Sequence, residues 1–279
     1  MDRTRALTLG VCGLLLAGCG TAGTSTPAAP PVRTPVQRVL APAATPPTAT
    51  SPYVTRVPLP PRCLPASPAI VGVKVYLVQR ALGLTGHRER YDTATQDAVR
   101  HFQATHHLTV DGVVGPRTWA ALPIRQPYCV DQYTVQPTVG PGATPRQRIE
   151  AMISYARARL GTPYIWGGAG PMGFDCSGLD IQAMYAGGRR VPGLNTNMHV
   201  GATFRSTRFI YGSSLPRVRL GDRRRGDLVF YGFPITHMAI YLGGGRILED
   251  VRPVARVASM YADGMRAQPW VVRPFPGRV

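Results

Sequence analysis

From residue 20 to about residue 60 the chain is dominated by Pro, Ala and Thr, with few large apolar residues. Such a stretch cannot bury enough surface to offset the entropy of ordering it, so it reads as an extended tether. The 28 prolines and 31 glycines among 279 residues fit the same division, being too many for one compact domain. A second break falls at 131–144, where Pro137, Gly140, Pro141 and Gly142 gather. The expected plan is a leading segment 1–18, a tether 19–60, a small domain 61–130, a linker 131–144 and a larger domain 145–279.

Charge narrows the partners less than it first suggests. The formal net charge is +18, and Lys74 is the only lysine, so arginine carries it. A basic surface suits nucleic acid, anionic lipid or an anionic wall polymer equally. Here the basic residues are scattered and no nucleic-acid motif accompanies them. No nucleic-acid partner is expected.

The N-terminus speaks for export. Arg3 and Arg5 precede an apolar run from Ala6 to Leu16, followed by small residues, the layout of a secretory signal. The run is shorter than the ~20 residues that span a bilayer. Its ending, Leu16-Ala17-Gly18-Cys19, resembles the lipobox of bacterial lipoproteins. That resemblance implies a signal peptide over 1–18, cleavage before Cys19, a diacylglycerol on its sulfur and anchoring to the outer face of the cell membrane. An ordinary signal peptide with an incidental Cys19 is the alternative.

Export sorts the remaining cysteines. Cys12 leaves with the signal, and Cys63, Cys129 and Cys176 stay in an oxidising compartment. Cys63 and Cys129 flank one compact segment, so a disulfide between them is the economical pairing. Cys176 is then a single thiol that needs an explanation.

Between Ile70 and Leu122 the pattern is helical, with Val75, Val78 and Leu82 at helical spacing, then Ala98, Val99 and Phe102. Thr93 and Gln96 are spaced as a capping box for the second helix, and Pro116 suits the first position of a third. Residues 91–99 and 114–122 echo each other as two similar helix entries. Val78-Gln79-Arg80-Ala81-Leu82, Ala98-Val99-Arg100-His101-Phe102-Gln103 and the run Leu108 to Trp119 resemble the three-helix peptidoglycan-binding module found beside many wall hydrolases. The resemblance implies wall binding. His87-Arg88-Glu89-Arg90 depart from it where the family often carries a second Asp-Gly turn, so a non-binding spacer is the other reading.

The last 135 residues carry the chemistry. Gln147 to Leu160 forms an amphipathic pattern closed by Gly161 and Pro163, and a second helix opens near Cys176. Short strands are expected at Asp227–Tyr231, His237–Leu242, Arg246–Leu248, Val254–Val257 and Trp270–Val272. Helices first and antiparallel strands afterwards give an α+β domain. Gly173-Phe174-Asp175-Cys176-Ser177-Gly178-Leu179 brings Cys176 to a helix start, whose partial positive charge favours thiolate and whose free N–H groups can hold an oxyanion. A buried structural cysteine is the bland alternative. His237 opens an apolar strand and is the candidate base; Glu249 follows the Gly243-Gly244-Gly245 turn, which would return it beside His237 to orient the ring. Asp250 is turned away by strand alternation, and His199 in the irregular stretch 187–216 is a competing base.

Four blocks then resemble the NlpC/p-sixty family of papain-like cell-wall peptidases: Gly161-Thr162-Pro163-Tyr164-Ile165-Trp166-Gly167-Gly168, Phe174 to Leu179, Arg225-Gly226-Asp227-Leu228-Val229-Phe230-Tyr231, and His237 to Gly243. The resemblance implies a papain-like fold with helices packed on an antiparallel sheet, with Cys176 as nucleophile, His237 as base and Glu249 as third member. It assigns Tyr164, Asp175 and Ser177 to the oxyanion and substrate side. Asp180 stands where relatives tend to carry an aliphatic residue, and is expected to face solvent. The activity implied is hydrolysis of peptidoglycan stem peptides, commonly between D-γ-glutamate and the diamino acid, in wall remodelling or division, with no cofactor. No metal is expected, since no His or Cys pair in this half has ligand spacing. A catalytically weak wall-binding protein and an amidase or acyl transferase on the same fold are the alternatives.

Overall fold

The computed structural model describes residues 53, 63–68, 70–86, 89–133, 135–192 and 205–278. The expected signal peptide, Cys19 and the tether apart from Tyr53 lie outside the described residues, as do His87, Arg88 and His199.

The first folded part is built on three helices, α1 (Val73–Ala81), α2 (Thr93–Thr105) and α3 (Pro116–Ala121). Val75, Val78, Val99, Val114, Trp119 and Leu122 close its core. The internal echo has a physical basis in two glutamines. Gln79 of α1 accepts the Glu89 N–H and donates to the Arg90 carbonyl and Thr95 Oγ1. Gln103 of α2 likewise accepts the Gly112 N–H and donates to the Val113 carbonyl and Thr118 Oγ1. Each glutamine thus ties a turn to the helix that follows it. Both turns need a left-handed residue: Gly112 has φ +71°, and Glu89 takes φ +65° where glycine would be unstrained. The capping of α2 differs from expectation. Asp92 is the N-cap, accepting the Thr95 N–H at 2.8 Å, so Thr93 falls inside the first turn and forms no box with Gln96. Cys63 and Cys129 are joined by a disulfide with Cα atoms 5.2 Å apart.

The C-terminal part contains α4 (Pro145–Arg157), α5 (Cys176–Ala186) and α6 (Thr207–Gly212). They accompany six strands: β1 (Arg217–Arg219), β2 (Leu228–Tyr231), β3 (His237–Gly243), β4 (Arg246–Val251), β5 (Val254–Ser259) and β6 (Trp270–Val272). The strands form one antiparallel sheet in the order β1-β6-β2-β3-β4-β5. Strand alternation splits it into two faces. Leu228, Phe230, Met238, Ile240 and Leu248 join the helices in the main core, while Val229, Tyr231, Ala239, Tyr241 and Ile247 form a smaller cluster. α4 starts two residues earlier than its apolar pattern suggests, because Thr144 and Gln147 make a reciprocal capping box and Pro145 occupies the first turn. α6 and β1 fall at the end of and just after the stretch read as irregular; both are too short for a periodic signal.

α5 is buried along its whole length. Asp180 therefore does not face solvent as expected. It is 1% exposed, because apolar residues on every side of α5 leave no outward stripe.

The two parts meet beside the start of α5. Tyr76 of α1 lies 5.5 Å, centroid to centroid, from Trp166, and Ile165 packs on the three-helix core. The Ala169 N–H donates to the Val130 carbonyl.

Candidate active site

Cys176 is the first residue of α5, and the local chain has little freedom to place it elsewhere. Asp175 is the N-cap, its Oδ1 accepting the Gly178 N–H at 2.7 Å and the Ser177 hydroxyl at 2.9 Å. Its Oδ2 accepts the Gly167 N–H at 2.9 Å, so one carboxylate fixes both the helix start and the tyrosine-bearing loop. Gly178 lets that loop approach: a Cβ there would stand 1.9 Å from the Gly168 carbonyl oxygen. Arg205 completes the arrangement with a two-pronged pair to Asp175 at 2.9 and 2.8 Å and a bond to Ser177 Oγ at 3.0 Å. The arginine is fully enclosed and its charge is matched by the carboxylate.

Burial pushes the Cys176 thiol up, and Asp175 and Asp180 add to the effect. The backbone N–H groups of Met238 and Ser177 meet the sulfur and oppose it. The sequence argument that a helix start lowers the thiol pKa is thus outweighed by desolvation. Burial thus favours the thiol over the thiolate. His237 immediately precedes Met238 in the chain.

His237 opens β3, and its ring stands 5.8 Å from Tyr231, its partner across the β2–β3 ladder. Its Nε2 lies 2.8 Å from Glu249 Oε2, both groups being buried. The β3–β4 hairpin explains the meeting. With Ile240 opposite Leu248, Glu249 falls opposite Ala239, diagonal to His237 on one face of the sheet. Nε2–H donating to the carboxylate leaves Nδ1 free to accept a proton. The other oxygen of Glu249 accepts from Arg256 Nε at 2.9 Å, across the β4–β5 ladder, and Arg256 also grips Asp263.

A cleft of about 140 Å³ opens at Cys176, with Tyr164, Trp166, Asp175, Ser177 and Arg205 in its wall. Val73 of α1 also lines it. Tyr164 is held neutral, pushed up to about 12 by burial, then by Asp175 and Cys176, with Arg252 above its ring acting in the opposite sense. It is a phenol O–H donor at the cleft. A larger open groove of about 820 Å³ runs along α4, but it holds none of these residues.

Sequence reading missed Arg205 and Arg256. Arg256 was accessible to it, since strand register opposite Glu249 selects that position once the hairpin is drawn. Arg205 sits 30 residues from Asp175 in a stretch without periodicity, and the only available signal was that a buried capping carboxylate wants a cation.

Residues 161–273 match the NlpC/P60 family, and residues 72–122 match the putative peptidoglycan binding domain. The chain is 34% identical to the peptidoglycan endopeptidase RipA of Mycobacterium tuberculosis over 144 residues, 46% of this chain and 27% of that protein. It is 31% identical to RipB of the same organism over 147 residues, 48% of this chain and 56% of that protein. The chain thus spans between about a quarter and just over half of these curated relatives. Among solved structures, RipD of M. tuberculosis, described as a non-catalytic NlpC/p60 domain protein adapted to peptidoglycan binding, is 30% identical with a TM-score of 0.37, covering 46% of this chain and 97% of that one. Through its C-terminal domain the chain belongs to the NlpC/P60 family, and a peptidoglycan-binding domain precedes it.

Proposed function

We propose that this chain is a cysteine endopeptidase that hydrolyses peptidoglycan stem peptides outside the cytoplasm. The observation that carries the reading is the buried His237–Glu249 pair at 2.8 Å, next in the chain to Met238, whose backbone meets the Cys176 sulfur at a helix start. A protein kept only for binding would have no use for an oriented imidazole there.

In this reading His237 Nδ1 takes the Cys176 proton, and the thiolate attacks the scissile carbonyl carbon. Glu249 fixes the ring tautomer and stabilises the imidazolium while Arg256 holds Glu249 in place. Of the first-turn N–H groups, that of Gly178 goes to the Asp175 side chain and that of Leu179 to its carbonyl. That of Cys176 remains for the oxyanion, with the Tyr164 hydroxyl as a further donor. The imidazolium protonates the leaving amine, and water, activated by the same ring, releases the acyl group from sulfur. The arginine-rich composition suits a substrate bearing carboxylates, as stem peptides do. The bond between D-γ-glutamate and the diamino acid is the proposed site of cleavage, and wall remodelling or division the proposed setting.

Anchoring through lipid on Cys19 belongs to the same proposal and rests on the Leu16-Ala17-Gly18-Cys19 sequence. Globomycin should leave unprocessed precursor; normal processing under the drug removes the anchor.

The test of the activity is mass spectrometry of purified muropeptides incubated with the chain and with Cys176→Ala. Fragments from the wild type alone support the peptidase, and their masses identify the bond. Absence of cleavage by either, with reducing agent present, leaves a wall-binding role.

A further inference from the structure

Two buried carboxyl groups behind the nucleophile have no part in the mechanism above. Asp180 lies four residues after Cys176, on the same face of α5. Asp250 follows Glu249 on β4, and alternation turns it to the face on which α5 packs. Both are 1% exposed, and none of their four oxygens has a hydrogen-bond partner among the described residues.

The contrast with the other buried carboxylates of this domain is sharp. Asp175 is paired with Arg205, Asp227 with Arg273, and Glu249 with Arg256. In a sequence with 32 basic and 14 acidic residues, cations are plentiful, yet among the described residues none pairs with Asp180 or Asp250. An ionised carboxylate enclosed without a counter-charge is strongly disfavoured; a protonated one is tolerated.

We propose that Asp180 and Asp250 are a protonated acid pair that keeps the space between α5 and β4 uncharged behind Cys176, and that ionisation of this pair sets the alkaline limit of the enzyme. The groups acting on it are Cys176 and Asp175 at the start of α5, Tyr164 on the loop before that helix, and Glu249 on β4. Asp175 and Glu249 are neutralised by their arginines, which leaves the pair as the variable charge. A negative charge arriving there opposes both the Cys176 thiolate and the oxyanion at the start of the same helix. Burial, then Asp175 and Glu249, push Asp250 up to about 8. Asp180 is raised well above the ordinary carboxylate range by burial, then by Asp250. The pair titrates as a unit, and its first proton is the one that matters near neutrality. The catalytic half of this proposal rests on the peptidase reading; the protonated pair does not.

The test compares the full chain with Asp180→Asn and Asp250→Asn, by urea unfolding and by muropeptide hydrolysis across pH. A carboxyl raised by folding keeps its proton in the native state while the unfolded chain loses it above about pH 4, so wild-type stability falls relative to Asn as pH rises to about 8 and then levels off. The expected result is a stability gap that widens over that window in favour of the Asn variants. Hydrolysis at about pH 9, relative to each enzyme's own neutral rate, should be at least about threefold faster in Asp250→Asn. A gap that stays flat with pH overturns the protonated pair. A widening gap with an unmoved alkaline limb overturns its catalytic role. If the wild type cleaves nothing, the peptidase reading fails, and the stability comparison still decides the pair. Should the variants not fold, the infrared carboxyl band of the wild type replaces them: a protonated band lost on alkaline titration is expected, and its absence at neutral pH overturns the proposal.

Discussion

Arg205 holds both oxygens of Asp175, at 2.9 and 2.8 Å, and through that carboxylate it holds the start of the helix that begins with Cys176. The pair is enclosed, so neither charge can be recovered by water if the other is removed. Arg205→Ala should therefore cost about 3–5 kcal/mol of unfolding free energy, the range for breaking a buried pair. Arg205→Lys should recover only part of it, because a single ammonium cannot reproduce two parallel bonds. Urea unfolding of the three proteins checks this, and equal midpoints would show the pair to be idle.

Glu249 differs from Arg205 in what its loss should change. Glu249→Gln keeps the shape of the side chain but no longer favours Nε2–H over the other tautomer, and it removes the charge facing the imidazolium. Muropeptide hydrolysis should fall about 10²- to 10⁴-fold, by analogy with the orienting acid of a serine triad, while binding to sacculi stays as in wild type. Cys176→Ala should abolish hydrolysis with binding again retained. Parallel loss of binding and hydrolysis in Glu249→Gln would mean that the residue serves the fold and not the reaction.

The Cys176 thiol is raised by burial, and the sign of that shift fixes a second measurement. A raised thiol is protonated below its own pKa, so without a base it alkylates slowly until the solution is strongly alkaline. His237→Ala should show iodoacetamide labelling of Cys176 that remains slow beyond the ordinary thiol value of 9.0. The wild type should label faster at neutral pH, because His237 can accept the proton. Identical labelling profiles would separate the two residues functionally.

Much of this site was legible in the sequence because it rests on local rules. Gly243-Gly244-Gly245 turns β3 into β4, and alternation then carries Glu249 to the face of His237 and Asp250 away from it. Asp175-Cys176-Ser177-Gly178 likewise announces a capped helix start. What escaped depends on contacts far apart in the chain. Arg205 meets Asp175 across 30 residues with no periodic element between them to fix its position. Asp180 was expected at the surface because a lone acid on a helix is usually solvated. The neighbouring Leu179, Ile181, Ala183 and Met184 already leave α5 without a polar face, and weighing that pattern over the single charge would have placed Asp180 inside. The capping residue of α2 was missed by one position, since Asp92 and Thr93 are both good caps and sequence alone does not choose between them.

Val73 of the peptidoglycan-binding domain stands in the wall of the Cys176 cleft, and Tyr76 one turn later lies against Trp166 on the cleft rim. The contact is close: a Cβ on Gly167 would come within 2.5 Å of Val73 Cγ1. A substrate entering the cleft therefore meets both domains at once. Tyr76→Ala removes an aromatic ring from that shared edge without touching Cys176, His237 or Glu249. It should raise KM for muropeptides severalfold and leave kcat near wild type, since binding lost equally from ground and transition states appears in KM alone. A fall in kcat at constant KM would instead mean that the domain contact aligns the start of α5. Gly167→Ala offers a check on the same edge, because it drives the two domains apart at φ +80° and should reproduce the effect with a loss of stability that Tyr76→Ala does not share.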